Sequence, residues 1–366
     1  MVKNENKQLK TKIKEKIIYN LFVCIKGIKM EKVRICLIGC GRAGMIHGRA
    51  YKSQVSNAEL VALCDPFADN LKLAQEELNV KYTYTDYKEA MKNPEIDAVI
   101  VVTPTKLHKE IVLVAANAKK HVFCEKPMAD SKEECEEMIE ACKKNNVKLQ
   151  IGFMRRFDKS FRRAKEMLDS GAIGKATMIK SNTYGPSEPQ EWMYDVRKSY
   201  GPLGEVNSHD FDTLRWYAGS EVKAVYSLGQ NFRSPEKASE HPEWYDTCVT
   251  TLEFENGIIG IITGAQYVKY GYDSRAEILG TDGIIKTGSQ DTNTAEMVTS
   301  NREIHKDSMD SWRTLFKDAY AAEDQSFVNC ILNDSEPEVT GHDGMMALVL
   351  VNESLKSLLE HRRVEL

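Results

Sequence analysis

Two short stretches of the chain carry side chains whose types and spacing suit acid–base chemistry on a hydroxyl group. In Gly204-Glu205-Val206-Asn207-Ser208-His209, which reads as a helix start, Glu205 and His209 stand four residues apart, a spacing that puts both on one helical face. A carboxylate beside an imidazole favours the charged ring and raises its basicity, so His209 can accept a hydroxyl proton with Glu205 orienting it. A surface ion pair is the plainer alternative for an isolated case. In the second stretch, Glu125-Lys126-Pro127, the Lys126 ammonium can hydrogen-bond a substrate hydroxyl and stabilise developing alkoxide charge. Pro127 is a candidate cis proline at that turn.

A proton acceptor and a cation need an electron acceptor to complete an oxidation, and the stretch from Ile35 to Asp65 supplies a place for one. The apolar run Val33–Ile38 leads into Gly39-Cys40-Gly41-Arg42-Ala43-Gly44, and a second apolar run, Leu60–Cys64, ends at Asp65. Gly39 suits the tight turn, Gly41 the approach of a pyrophosphate, and Gly44 close packing of helix on strand. Free N–H groups at the helix start, around Arg42 and Ala43, suit the phosphate charge. Asp65 lies 21 residues past Gly44, where a carboxylate accepts hydrogen bonds from ribose hydroxyls. That carboxylate repels a 2′-phosphate, and Pro66 follows it rather than an arginine, so NAD is favoured over NADP. Thr103, Pro104, Glu125 and Lys126, at the ends of later strands, complete the candidate cofactor contacts, because ligands of such sheets bind beyond the strands' carboxyl ends.

The elements that must position these groups alternate in the first part of the chain. Strand-like Asp97–Val102, a helix over Leu107–Ala118, the short strand His121–Cys124, a capping signature Ser131-Lys132-Glu133-Glu134 and a last strand Val147–Ile151 predict a doubly wound parallel sheet. From about Gly152 strands follow one another: Lys175–Asn182, Val222–Gly229, Cys248–Phe254, Ile258–Thr263 and Arg275–Leu279. Glu255-Asn256-Gly257 and Thr281-Asp282-Gly283 read as hairpin turns. Two late helices, Trp312–Leu332 and Met345–Glu360, close the chain. The expected fold is α/β, an N-terminal Rossmann sheet plus a C-terminal α+β domain with a large, mostly antiparallel sheet. The expected divisions are 1–30 as a disordered or mis-started extension, 31–150 as the NAD-binding domain, and 151–366 as the substrate-binding and oligomerisation domain. A sheet with one open face argues a homo-oligomer.

Composition excludes other classes. The formal net charge of −4 offers no general attraction to nucleic acid. Nine cysteines without metal-ligand spacing indicate a reducing, cytoplasmic setting and no metal centre. No apolar run reaches the roughly 18 residues that span a membrane. The other histidines, among them His47, His108, His121 and His241, lack a comparable partner in sequence and read as structural or peripheral.

The glycine-rich turn, the Glu125-Lys126-Pro127 turn and the Glu205–His209 stretch, in that order, resemble the Gfo/Idh/MocA family of NAD(P)-dependent sugar and cyclitol oxidoreductases. The resemblance runs from about residue 31 to the C-terminus. It implies catalytic roles for Lys126 and His209; the family usually has aspartate where this chain has Glu205. It also implies that Arg155-Arg156-Phe157-Asp158 borders a substrate pocket, with Arg156 and Asp158 as candidate contacts. Tyr184, Trp192 and Tyr194, with Trp244 and Tyr245 further on, are aromatics able to cover a sugar's C–H face or, equally, to pack in an oligomer interface. The substrate is expected to be a small carbohydrate. The chain looks closest to members that oxidise position 3 of glucosides, including plant C-glycosides, giving a 3-keto product that a separate enzyme cleaves. Inositol 2-dehydrogenases come next. Two rivals share the fold: an NAD-dependent glycosidase, and a non-enzymatic NAD-sensing regulator that need not keep Lys126 and His209.

Overall fold

The computed structural model describes residues 32–366; the expected extension over 1–30 lies outside them. The first sheet is built from β1 (Val33–Ile38), α1 (Gly44–Ser53), β2 (Ala58–Cys64), α2 (Ala68–Leu78), β3 (Tyr82–Tyr84), α3 (Tyr87–Met91), β4 (Ala98–Val101), α4 (His108–Asn117), β5 (His121–Glu125), α5 (Lys132–Asn145) and β6 (Leu149–Gly152). Its six strands run in the order β3-β2-β1-β4-β5-β6, all parallel. Order reverses between β1 and β4, so a crevice opens beyond their carboxyl ends. The continuous apolar run of β1 is explained by burial on both faces: Ile35 and Leu37 enter one core cluster, Cys36 and Ile38 another.

The chain continues through α6 (Lys159–Asp169), β7 (Ala176–Gly185), α7 (Val196–Ser199), α8 (Gly201–Glu205), α9 (Ser208–Ala218), β8 (Val222–Gln230), β9 (Thr247–Phe254), β10 (Ile259–Gln266), β11 (Asp273–Gly280), β12 (Ile284–Ser289), β13 (Asp291–Val298), β14 (Ile304–Ser308), α10 (Trp312–Leu315), α11 (Lys317–Asn333), α12 (Gly341–Glu360) and β15 (Val364–Glu365). Seven strands form the second sheet, in the order β12-β11-β7-β10-β9-β8-β15. Only β7 and β10 pair in parallel, because the helical segment α7–α9 carries the chain over the sheet between them. Both expected hairpins are present, joining β9 to β10 and β11 to β12.

The last two long helices serve both sheets: Tyr320 of α11 and Leu350, Val351, Leu355 and Leu358 of α12 pack in the core of the second. Ala321, Phe327, Val328 and Ile331 of α11 complete one core of the first sheet, and Met345, Ala347 and Leu348 of α12 complete the other. A parallel sheet needs both faces covered, and here the C-terminal chain supplies part of that cover. Helix α12 begins four residues earlier than the apolar spacing predicts. Thr340 caps it by accepting the Asp343 N–H at 3.2 Å while the Asp343 carboxylate accepts the Thr340 N–H at 2.9 Å. The glycines there read as loop, yet Gly344 is a packing requirement, since a Cβ would sit 2.8 Å from Ile151. The single helix expected over Trp312–Leu332 is broken at Phe316 into α10 and α11.

Candidate active site

The glycine-rich turn has the shape its residue types require. Gly39 has φ +98°, and a Cβ there would meet the Val102 carbonyl at 2.3 Å. At Gly44 a Cβ would fall 1.9 Å from the Gly39 carbonyl, so helix and strand approach as closely as glycine allows. Gly41 has open space where its Cβ would be. The N–H groups of Gly41, Arg42 and Ala43 donate to no described residue, which leaves them directed at an anion before the helix α1. Asp65 is buried at the end of β2, its oxygens accepting the Cys40 N–H at 2.8 Å and the Phe67 N–H at 2.9 Å. These contacts hold the carboxylate in one orientation beside the turn. On the other side stand Thr103, whose buried hydroxyl lacks a partner, and Pro104. These residues fit a dinucleotide, with its pyrophosphate at Gly41 and a ribose at Asp65.

His108, peripheral in the sequence reading, joins two of these turns. Its ring nitrogens face the carbonyls of Thr103 at 2.8 Å and Pro127 at 2.9 Å, and burial lowers its pKa despite both contacts. The peptide bond from Lys126 to Pro127 is cis.

Lys126 projects from the end of β5 toward the second sheet. Its Nζ donates to the main-chain carbonyl of Glu205 at 3.3 Å. His209, on α9, is almost fully buried, its ring edge-to-face with Phe153 at 5.6 Å between centroids. Its Nδ1 is buried without a partner. Burial holds the imidazole well below its ordinary pKa, and the charges of Lys126 and Arg155 push it further the same way. The ring is therefore a neutral imidazole beside an ammonium, which can accept a proton from a hydroxyl lying between them.

The expected pairing of Glu205 with His209 is corrected by the structure. Helix α8 ends at Glu205, Val206 and Asn207 interrupt the helical path, and α9 starts at Ser208. The Glu205 side chain makes no hydrogen bond to His209, and the ring's basicity is lowered rather than raised. The next residue, Asp210, is a buried carboxylate that accepts Arg155 Nη1 at 2.7 Å, Thr183 Oγ1 at 2.7 Å, Asn207 Nδ2 at 2.7 Å and the Ser181 hydroxyl. Arg155 is fully buried, and its link to Thr183 at 2.6 Å ties it to β7. The resemblance set Arg155 in a segment bordering the substrate pocket without giving it a role, and sequence reasoning passed over Asp210, whose only signal was a charge beside core residues.

Other candidate substrate contacts sit elsewhere. The Arg156 guanidinium is taken up by Asp212 at 2.6 Å and Asp343 at 2.9 Å, a buried ion network holding α9 to α12. Asp158 caps α6, accepting the N–H groups of Ser160 and Phe161 at 2.9 and 3.1 Å. Side chains alternate along β7, so Thr183 faces Asp210 while Tyr184 points to the opposite face, its hydroxyl 2.7 Å from Thr263 Oγ1. Trp192 is half exposed, donating to Gln190 Oε1 at 3.0 Å. Tyr194, Trp244 and Tyr245 are buried in the core of the second sheet.

Fold and site together define a dinucleotide-dependent oxidoreductase. Residues 33–153 match the model described as "Oxidoreductase family, NAD-binding Rossmann fold", and residues 161–286 match the GFO/IDH/MocA C-terminal domain. The myo-inositol 2-dehydrogenase of Thermotoga maritima is 35% identical, over 91% of this chain and 98% of its own. The scyllo-inositol 2-dehydrogenase (NAD(+)) of Bacillus subtilis is 33% identical, over 87% of this chain and 92% of its own. The structure of scyllo-inositol dehydrogenase from Lactobacillus casei with bound NAD(H) and scyllo-inositol aligns with a TM-score of 0.85 at 28% identity, over 91% of this chain and 99% of that one. The chain belongs to the Gfo/Idh/MocA family of oxidoreductases, and NAD is its cofactor. Among the described residues no helix is long and apolar enough to cross a membrane.

Proposed function

We propose that this protein is an NAD-dependent inositol dehydrogenase, oxidising one ring secondary alcohol of a cyclitol to a ketone. The observation that carries the chemistry is the neutral, buried imidazole of His209 beside the Lys126 ammonium, at the carboxyl edge of the dinucleotide sheet. The substrate class follows from likeness along nearly the whole chain to inositol 2-dehydrogenases, which favours the cyclitol over the position-3 glucoside expected from sequence. A cyclitol has no glycosidic bond, so this reading needs no separate cleaving enzyme.

NAD, when bound beyond β1 and β4, supplies the hydride acceptor. The chain's own part begins with Lys126, which hydrogen-bonds the reacting hydroxyl and stabilises negative charge on its oxygen. His209 takes the hydroxyl proton. A base lowered in this way is unprotonated at neutral pH and ready to act, and such a base contributes roughly 10²–10⁴ in rate. Glu205 contributes its carbonyl, which fixes Lys126. Arg155, paired with Asp210 in the buried interior, adds its charge to the effects that lower the pKa of His209. Supplying purified protein with NAD and myo- or scyllo-inositol, and following NADH, tests the reading directly; no NADH from any inositol rejects it.

The second sheet has one face covered by helices and one open. On the open face Tyr184, Val249, Thr263 and Tyr270 line a groove of about 610 Å³, flanked by exposed Leu228 and Phe232. Apolar area of this extent supports a homo-oligomer in which a second copy covers the sheet. Sedimentation of the protein and of Leu228→Glu distinguishes an oligomer that dissociates from a chain that was monomeric throughout.

A further inference from the structure

His47 lies on α1, the helix that begins at the glycine-rich turn, and is completely buried. Its Nδ1 is 2.9 Å from Asp324 Oδ1 on α11, and its Nε2 is 3.1 Å from Glu125 Oε1 at the end of β5. Phe123 and Tyr320 hold the ring plane, with centroids 5.2 and 5.4 Å away. A ring with a carboxyl oxygen at each nitrogen is placed to donate from both, as an imidazolium does. Burial alone opposes that charge, but Asp324 and Glu125 outweigh it and raise the pKa well above the ordinary range.

The other oxygen of Glu125, Oε2, accepts the main-chain N–H of Lys126 at 3.0 Å. Glu125 is thus gripped at both oxygens, by His47 and by the backbone of the residue that carries the ammonium. The space around its carboxyl group is also restricted. Gly152, its neighbour on β6, has no room for a Cβ, which would sit 2.8 Å from Glu125 Cδ. Around the ring stand Tyr51 from α1, Glu125 from β5, and Tyr320, Glu323 and Asp324 from α11. Glu323 is fully buried with both side-chain oxygens unpartnered. Burial, reinforced by Glu125, raises its pKa well above the ordinary carboxyl range, and His47 is the cationic side chain set between the Glu125 and Asp324 carboxyl groups.

We propose that His47 is a positioning residue for the oxidation: clamped between Asp324 and Glu125, it holds the Glu125 carboxylate against the Lys126 N–H and so fixes where the Lys126 ammonium points. The inference rests on the assignment of Lys126 as the residue that binds the reacting hydroxyl. It gives α11, through Asp324, a role in the site.

Two perturbations reach Glu125 from opposite sides. His47→Gln removes the cation, and Gly152→Ala crowds the carboxyl group without touching the ring. Each is expected to lower kcat about tenfold or more at saturating NAD and substrate, as misplacement of a catalytic group does, with the NAD Kd changed by less than about threefold. In a cycle with Glu125→Gln, which should itself slow turnover, His47→Gln is expected to add little further loss, because both act through one carboxylate. Nitrogen chemical shifts of the His47 ring should remain those of an imidazolium from about pH 6 to 9, well above the ordinary titration range. Full kcat in His47→Gln or additive losses in the cycle overturn the inference, and so does a ring that titrates as ordinary imidazole. If Lys126→Met leaves turnover intact, the underlying assignment fails instead. If His47→Gln does not fold, Gly152→Ala and the ring shifts of the parent protein decide the matter.

Discussion

The Lys126 ammonium donates to the main-chain carbonyl of Glu205 at 3.3 Å, joining the turn after β5 to the end of α8. The contact uses the backbone of Glu205 and leaves its carboxylate out of the catalytic arrangement. It also brings the Lys126 charge close enough to His209 to add to the burial that lowers the imidazole pKa.

Replacing Lys126 by Met is expected to cut turnover by roughly 10²-fold or more, since the alkoxide loses its cationic partner. The same change removes one of the charges that depress His209. The oxidation rate needs the neutral ring, so its acid limb should move to higher pH in the variant. Initial rates measured across pH at saturating NAD check both parts.

Glu205→Gln should leave that acid limb where it is, because burial, Lys126 and Arg155 set the His209 pKa and the Glu205 side chain does not enter. A shift of the limb toward lower pH would show that the carboxylate supports the ring in the working enzyme. The pH–rate profile of the variant decides between them.

Asp65→Ala is expected to weaken NAD binding and narrow the preference over NADP, because the ribose loses a carboxylate acceptor and a 2′-phosphate loses a repulsive neighbour. The variant also frees the N–H groups of Cys40 and Phe67, at a cost of about 1–3 kcal/mol if they stay buried. Kd values for the two cofactors, with unfolding measured alongside, separate the effects.

Asp343 governs an acid-side stability term. Burial raises its pKa, but Arg156 and the Thr340 N–H and hydroxyl prevail and bring it to about 2. A carboxylate depressed on folding contributes stability that is fully present above its unfolded pKa and is lost as pH falls through the folded one. Relative to Asp343→Asn, the parent protein should gain on the order of 2 kcal/mol as pH rises from about 2 to about 5. Urea unfolding of both proteins over that range measures the difference.

The dinucleotide turn was legible in sequence because glycine spacing and Asp65 report backbone requirements that no other residue meets. The two sheets were legible from the change between helix–strand alternation and consecutive strands. The Glu205–His209 relationship was misread because spacing does not record burial or the approach of Lys126 and Arg155, which lower the basicity of the ring. Tyr184 looked like a sugar-facing aromatic because the strand was expected to end at Asn182; β7 runs on to Gly185, and the alternation that sends Thr183 toward Asp210 sends Tyr184 to the opposite face. Arg156 looked like a substrate contact until its carboxylate partners, Asp212 and Asp343, arrived from α9 and α12. His47 gave no local signal at all, since its partners are 78 and 277 residues distant in the chain.

The most direct measurement is product analysis with purified protein, NAD and a panel of myo-inositol, scyllo-inositol, glucose, O-glucosides and C-glucosides, run in parallel on His209→Ala. Loss of two hydrogens from an inositol, with stoichiometric NADH, and a fall of about 10² or more in His209→Ala with NAD still bound, is the predicted result. Oxidation of glucosides with no inositol turned over would contradict the cyclitol assignment, and near-full activity in His209→Ala would contradict the assignment of the base.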